Sequence, residues 1–134
     1  SLPELAERMR DIDIAMLSTH TENGQIASRP MSNNRDVDYD GDSFYFTFDQ
    51  SRTVSDIRNN PKVTLAFQSD DTFYATVEGE AKLFTDQPTI QQHWQESLNE
   101  WFPDGPETEG VVMIQVNARR IKYWDGLAAG EVKL

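Results

Sequence analysis

The chain has 134 residues and a net charge of -11 from 12 basic and 23 acidic side chains, a length that suits one hydrophobic core and a single domain over residues 1–134. The absence of cysteine excludes disulfides, thiolate metal sites and cysteine nucleophiles, and the acidic balance argues against nucleic acid or an anionic membrane as a partner. No apolar run approaches the roughly 18 residues of a membrane-spanning helix and no signal-peptide pattern is present, so we expect a cytoplasmic protein.

The first part of the chain predicts a short helix and then two strands. Pro3 lies in the first turn of a run of helix formers that ends in basic residues at Arg10. The spacing of apolar residues then changes to two, the period of a strand. One face of that strand carries Ile12, Ile14 and Met16. The Asn23-Gly24 pair can supply the positive φ angles of a tight hairpin turn, so a second strand is expected from Gln25 to about Val37.

Residues 39–84 predict three further strands and one helix. A turn over residues 39–42 leads into an aromatic strand, whose expected core face carries Phe44, Phe46 and Phe48. A helix is expected over residues 51–60, and the strand after it has alternating apolar residues at Val63, Leu65 and Phe67. Gly79 lies inside a long strand over residues 72–84 and predicts a bulge that curls the sheet into a barrel.

The last part of the chain predicts a longer helix and two strands. Asp86 is expected to cap the helix, with Pro88 in its first turn. The buried stripe of this helix is expected to contain Ile90, Trp94, Leu98 and Trp101. Two strands follow, one over residues 112–116 and one from Ile121 up to Asp125-Gly126. Strands joined by hairpins with few helices indicate a mainly β fold, a small antiparallel barrel.

Side-chain catalysis has few candidates in this sequence. There is no cysteine and no serine-centred nucleophile elbow. His20 and His93 lie far apart in the chain without a carboxylate at ligand spacing, so no metal site is expected. The composition therefore favours a protein that takes its chemistry from an organic cofactor.

Two segments could hold the phosphate of such a cofactor. In Ser28-Arg29-Pro30-Met31, a proline within a strand frees neighbouring backbone groups to face a ligand, although an edge strand with a solvated arginine explains the same residues. In the second segment, residues 47–53, the hydroxyls of Thr47, Ser51 and Thr53 accompany Arg52 at a helix start. Together with the N–H groups of the first helical turn and with Arg29, these groups could bind a phosphate dianion. The alternative is an ordinary helix cap beside a surface arginine.

A third segment, residues 119–126, combines three basic residues with Tyr123 and Trp124. The acidic background and the shortness of the run argue against a nucleic-acid stripe. A tryptophan at the end of a strand packs in the core or at its rim more often than it stacks on a ligand. Ligand stacking by Trp124 is the alternative interpretation.

In this order, the three segments resemble those of the pyridoxamine-phosphate-oxidase-like flavin-binding split barrels, and most closely the bacterial general stress protein branch. The resemblance extends from about Ile12 to Gly126 and implies an antiparallel split β-barrel of the FMN-binding type, with about six to seven strands and short helices. The FMN-binding residues that it implies are Arg29, Pro30, Met31, Phe46, Thr47, Ser51, Arg52 and Trp124.

Two departures from the family pattern qualify these implications. Thr53 stands where the oxidase has a phosphate-binding lysine, so Arg29, Arg52 and hydroxyl groups would have to hold the phosphate. After Trp124 the chain reads Asp-Gly-Leu-Ala-Ala-Gly instead of the Arg-x-His-x-Arg run that handles the vitamin substrate. True pyridoxamine-phosphate oxidase activity is therefore not expected.

The resulting expectation is an FMN-binding protein with flavin-dependent oxidoreductase activity of the general stress protein type. We expect a homodimer with the flavin at the subunit interface, because a half-open barrel of this size covers only part of a flavin. The alternatives are a non-catalytic flavin carrier or sensor in a stress response, or a barrel without a ligand. The same fold could also hold FAD, deazaflavin F420 or haem, with His20 or His93 as the axial ligand of the haem. The sequence predicts no catalytic residue, electron donor or substrate.

Overall fold

A computed structural model describes residues 2–33 and 39–134. The α-helices are α1 (Leu2–Arg10), α2 (Arg52–Asn59) and α3 (Gln87–His93). Two 3-10 helices, Glu96–Glu100 and Gly105–Glu107, follow α3. The strands are β1 (Ile14–His20), β2 (Ile26–Ser32), β3 (Asp42–Phe48), β4 (Lys62–Gln68), β5 (Phe73–Phe84), β6 (Val111–Asp125) and β7 (Ala128–Lys133).

The seven strands form one antiparallel sheet in the order β2-β1-β4-β5-β6-β3, and β7 also pairs with β6. Residues 111–117 of β6 pair with β3, whereas residues 120–125 pair with β7. The β5–β6 register shifts between Glu78 and Gly79, and Gly79 approaches the backbone of Asn117 so closely that it leaves no space for a Cβ atom. The predicted bulge is therefore confirmed, and the mainly β split-barrel fold is confirmed with it.

The main core lies between the inward faces of the strands and α1. Leu17, Leu65 and Val77 are fully buried there, and Leu5 and Met9 of α1 join the same cluster. Ile14 and Met16, on one face of β1, point outward and are exposed by 46% and 39%, whereas Ala15 and Leu17 on the other face are fully buried. Pairing with β4 decides the face, because Leu17 lies opposite Leu65 and neighbours across a sheet share a face.

The predicted core face of β3 is confirmed only in part. Tyr45, rather than the phenylalanines, points into the main core and is 2% exposed. Phe44 and Phe46 pack instead against a second, smaller cluster, which contains Ile90, Phe102, Val111 and Met113. Because α3 and the following 3-10 helix cover the outer side of β3, both faces of this strand carry aromatic side chains.

Several element boundaries differ from the sequence-based expectation. In the first hairpin only Gly24 has a positive φ angle, of 79°, so Asn23 does not contribute one. The second strand is β2, which ends at Ser32, and residues 34–38 at the end of the predicted strand lie outside the described residues. The helix that Asp86 caps through the Thr89 N–H at 3.2 Å ends at His93.

The last third of the chain shows the largest differences. Trp101 is 65% exposed, because the chain leaves the α-helix after His93 and continues as a 3-10 helix, which changes the spacing of the predicted stripe. The two predicted final strands are one continuous strand, β6, and β7 was not predicted. Its sequence, AAGEVK, has too few apolar residues to show a strand period.

Candidate functional site

Arg29 lies on β2, the edge strand of the sheet. Its Nη1 donates hydrogen bonds to the carbonyl oxygen of Leu17 at 3.2 Å and to Oγ1 of Thr19 at 2.8 Å. The side chain is only 20% exposed. The edge-strand interpretation of the Arg29-Pro30 pair is thus confirmed, but the arginine is held against β1 and is not a solvated surface residue.

Asp56 of α2 completes a buried polar group with Arg29 and Thr19. The Thr19 hydroxyl donates to Asp56 Oδ2 at 2.8 Å, and Arg29 Nη2 lies 3.7 Å from the same oxygen. Thr19 and Asp56 are 1% and 4% exposed. Burial lowers the pKa of the Arg29 guanidinium, and the neighbouring Asp56 carboxylate acts in the opposite direction. This group ties the edge strand to α2 and so brings Arg29 to the helix that begins at Arg52.

The junction between β3 and α2 presents hydrogen-bond donors. Ser51 is the N-cap, and its Oγ accepts from the Val54 N–H at 3.3 Å, so the Ser51 hydroxyl proton remains available to a ligand. Arg52 is exposed and has no ion pair within the described residues. The N–H groups of residues 52 and 53 lie in the first helical turn, where no intrahelical acceptor exists. The predicted helix start is confirmed, and Thr53 is buried, with 7% exposure.

Thr47 and the aromatic residues of β3 lie beside this junction. Thr47 is half-buried and pairs with Val112 of β6. The ring of Phe46 contacts Trp94 edge-on at 4.9 Å, which covers much of it. Phe48 is 45% exposed and its ring is 5.1 Å from Phe102. Of the two predicted site residues on β3, Phe46 is engaged in aromatic packing and Thr47 is not. Thr47 is therefore the one that remains available near the Ser51 cap.

Trp124 lies at the far end of β6, on the outward face of the sheet. Its side chain is 43% exposed, as is that of Tyr74, its partner on β5. Both line an open groove of about 640 Å³, whose other lining residues include Ile14, Met16 and Ala66. This outward surface, formed by Ile14, Met16, Ala66, Tyr74 and Trp124, is called the apolar face below.

The predicted site residues form two separate groups within one chain. Arg29 on β2 and Trp124 on β6 are four strand positions apart, about 19 Å along the sheet at the usual strand spacing. Thr47 pairs with Val112, twelve residues before Trp124 on β6, or up to about 40 Å along the strand. Within the chain Arg29 contacts Asp56 of α2, whereas Trp124 lies four strand positions away along the sheet.

The remaining predicted residues flank Arg29. Pro30 pairs with Met16 across β1 and β2, and Met31 is partly buried against the main core. Of the two histidines, His93 stacks on Phe44 at 3.9 Å, and His20 lies at the end of β1. Among residues 2–33 and 39–134, no group of three or more His, Asp or Glu side chains could hold a metal ion. No helix in that part of the chain is long and apolar enough to span a membrane.

Thr19 and Asp56 are the site residues that sequence reasoning missed. A weak signal for Thr19 existed, because it continues the alternation of Ala15 and Leu17 on the inward face. Asp56 gave a similar signal, since it lies beside Val54 and Ile57 on the buried side of α2. A polar residue on a buried face needs a hydrogen-bonding partner. Which partner it finds depends on how α2 packs on β1.

The chain is thus a split antiparallel barrel in which an arginine of an edge strand contacts α2. A family model described as "Pyridoxamine 5'-phosphate oxidase like" matches residues 1–133, and the chain belongs to that family.

Two solved structures with general stress protein names are similar to the chain. General stress protein 26 of Bacillus anthracis is 28% identical, with a TM-score of 0.80 over 99% of this chain and 98% of its own. A Clostridium acetobutylicum protein related to general stress protein 26 of B. subtilis has a TM-score of 0.86 at 21% identity, over 99% of this chain and 94% of its own.

A curated relative is longer than this chain. Protein bli-3 of Neurospora crassa is 25% identical over 130 residues, which are 90% of this chain and 62% of that protein. The chain thus spans 62% of the length of the curated relative that it matches.

Proposed function

We propose that this protein binds the phosphate of FMN between Arg29 and the start of α2, and that it acts as a flavin-dependent oxidoreductase of the general stress protein type. The observation that carries the proposal is the contact between β2 and α2. Arg29 Nη2 lies 3.7 Å from Asp56 Oδ2, and Asp56 is one helical turn after Arg52. Arg29 thereby contacts the helix whose first residue is Arg52, so two arginines that are far apart in sequence belong to one contact between β2 and α2.

The residues present fit a phosphate group. Arg52 supplies an exposed guanidinium, and Ser51 has a hydroxyl proton that the cap does not use. The N–H groups of the first turn add partial positive charge. Arg29 keeps donors beyond the two hydrogen bonds that its Nη1 makes. FAD and deazaflavin F420 also carry phosphate, so the site chemistry suits a phosphorylated flavin or deazaflavin, and FMN is the one that we propose.

We further propose a homodimer in which the apolar face of each subunit packs on its partner. The face exposes four large side chains on neighbouring strands, at Ile14, Met16, Tyr74 and Trp124, and such a contiguous patch typically marks an interface. In the proposed dimer a two-fold pairing brings Trp124 of one subunit to the flavin held by the other.

A bound flavin would supply hydride transfer, while the protein contributes binding, orientation and electrostatics. In this proposal Arg29 and Arg52 donate hydrogen bonds to the phosphate, Ser51 orients it, and Trp124 shields the ring from water. If neither NADH nor NADPH reduces the bound flavin, we would conclude that the protein is a non-catalytic flavin carrier or sensor. A cytoplasmic location remains a prediction.

The cofactor proposal is tested by the absorption spectrum of the purified protein and by fluorescence titration with FMN and with riboflavin, which lacks the phosphate. FMN should bind more tightly, and Arg52→Gln should reduce that preference about tenfold or more. Arg58→Gln, on the last turn of the same helix, is the matched control and should leave the preference unchanged. Equal affinity of the wild type for both ligands, or no binding of either, would contradict the proposal.

The dimer proposal is tested by light scattering during gel filtration. Trp124→Glu places a charge on the apolar face and should shift the protein to a monomer. Trp101→Glu is the matched control, because Trp101 is also exposed, by 65%, but lies away from this face. A wild-type monomer at micromolar concentration would refute the dimer.

A further inference from the structure

Asp56 places a negative charge beside Arg29, the arginine that the proposed function assigns to the phosphate. Its side chain is 5% exposed and lies 3.7 Å from Arg29 Nη2, so water screens the carboxylate only weakly. Arg29 and Asp56 together carry no net charge. Of the two arginines of the proposed site, Arg52 is the one that forms no ion pair within the described residues.

We infer that Asp56 is a specificity-determining residue that weakens the attraction of Arg29 for a phosphate. The carboxylate keeps the affinity for phosphate-bearing ligands below the value that the two arginines alone would give. This inference rests on the proposed function, because it concerns the same phosphate site.

The geometry separates the charge of Asp56 from the positioning of Arg29. The guanidinium is oriented by two neutral acceptors, the Leu17 carbonyl at 3.2 Å and the Thr19 hydroxyl at 2.8 Å. The distance of 3.7 Å to Asp56 is too long for a hydrogen bond. In Asp56→Asn the amide oxygen can still accept from Thr19, so that substitution removes the charge and keeps the hydrogen bond.

The size of the effect follows from Coulomb's law. The Asp56 carboxylate and a bound phosphate would lie on opposite sides of the Arg29 guanidinium. At that separation, with an effective dielectric constant near 20 and salt screening, the repulsion between their charges changes a binding constant about tenfold. Asp56→Asn should therefore tighten FMN binding about tenfold. Riboflavin has no phosphate, so its affinity should change by less than about twofold.

The experiment compares FMN and riboflavin titrations of the wild type, Asp56→Asn and Glu7→Gln at low and high salt. Glu7→Gln removes one exposed carboxylate on α1 and controls for overall charge, so it should change neither affinity. The gain for FMN in Asp56→Asn should shrink at high salt. Unchanged or weaker FMN binding by Asp56→Asn, in a wild type that prefers FMN to riboflavin, overturns the inference and leaves the proposed function standing. A wild type without that preference overturns both.

A double variant keeps the inference testable if Asp56→Asn does not fold. Arg29→Gln/Asp56→Asn removes both charges of the pair, so no buried charge is left unpaired. If Asp56 already offsets Arg29, the preference of this variant for FMN over riboflavin should stay within about fivefold of the wild type. Loss of the preference by about a hundredfold would show that Arg29 acts as an uncompensated cation, and would overturn the inference.

Discussion

Replacing Gly79 by alanine tests the feature that bends the barrel. An added Cβ atom would overlap the carbonyl oxygen of Asn117 and would lie 3.1 Å from its carbonyl carbon and 3.3 Å from Ala118 Cα. All three atoms belong to the backbone of β6, so no side chain can rotate away. The strands would have to separate at the bulge, where the β5–β6 register shifts.

The expected cost can be estimated from this overlap. Overpacking in a well-packed region costs about 1–3 kcal/mol and occasionally more, and a purely backbone environment favours the upper end, about 3 kcal/mol. Alanine would recover about 0.4–1 kcal/mol through the lower entropy of its unfolded chain. The net loss should be about 2–3 kcal/mol, which corresponds to a decrease in Tm of about 6–9 °C for a chain of this length.

Urea unfolding followed by circular dichroism, at one fixed protein concentration, measures this loss. Gly24→Ala is the matched control, because Gly24 has a φ of 79° and nothing within 4 Å of its added Cβ. That variant should lose about 1–2 kcal/mol from backbone strain alone. If Gly79→Ala unfolds at the same urea concentration as the wild type, or at a higher one, the steric explanation of the bulge is refuted.

Three further predictions concern buried or capping groups. Burial raises the pKa of Tyr45 to about 12 from its usual 10.0, against an opposing effect of the Ser43 hydroxyl. Because the unfolded chain ionises first, the contribution of Tyr45 to stability should be constant below about pH 10 and should be lost, by about 2.7 kcal/mol in total, as the pH rises through 12. Tyr45→Phe should unfold with a shallower alkaline decline. Arg29→Gln should lower the unfolding free energy by about 2–3 kcal/mol because it leaves Asp56 buried without its partner. A double-mutant cycle with Asp56→Asn should show a coupling of about 1 kcal/mol or more. If the losses of stability in the two single variants simply add up in the double variant, the pairing is contradicted. Ser51→Ala should cost about 1 kcal/mol by removing the cap of α2, and equal urea midpoints would contradict the capping role.

Local sequence signals predicted most of the elements that depend on local chemistry. Ser51 and Asp86 cap helices as expected, and Gly79 lies at a bulge. Each of these features arises from interactions within a few residues, or from the missing side chain of glycine. The order of elements along the chain therefore indicated a small antiparallel barrel, and short motifs around Arg29, Arg52 and Trp124 resembled one family.

The faces of β1 and β3 were not predictable in the same way. An alternating pattern shows that a strand has two faces, but Ile14 and Phe44 are as apolar as the residues on the inward side. Pairing with β4 made Ala15 and Leu17 the core residues of β1. The cover provided by α3 gave β3 a second apolar surface. These are long-range contacts, which a short window of sequence does not contain.

The sequence by itself determined the class of fold and the residue types available to a phosphate-bearing cofactor, because periodicity, turns and caps are local properties. Only the tertiary structure placed Arg29 against α2, revealed Thr19 and Asp56 as its partners, and put Trp124 four strand positions away from Arg29. Hydrogen bonds between residues such as Thr19 and Asp56, 37 positions apart, form only after the sheet and helix have packed. Charge compensation at the site is therefore a property of the folded chain.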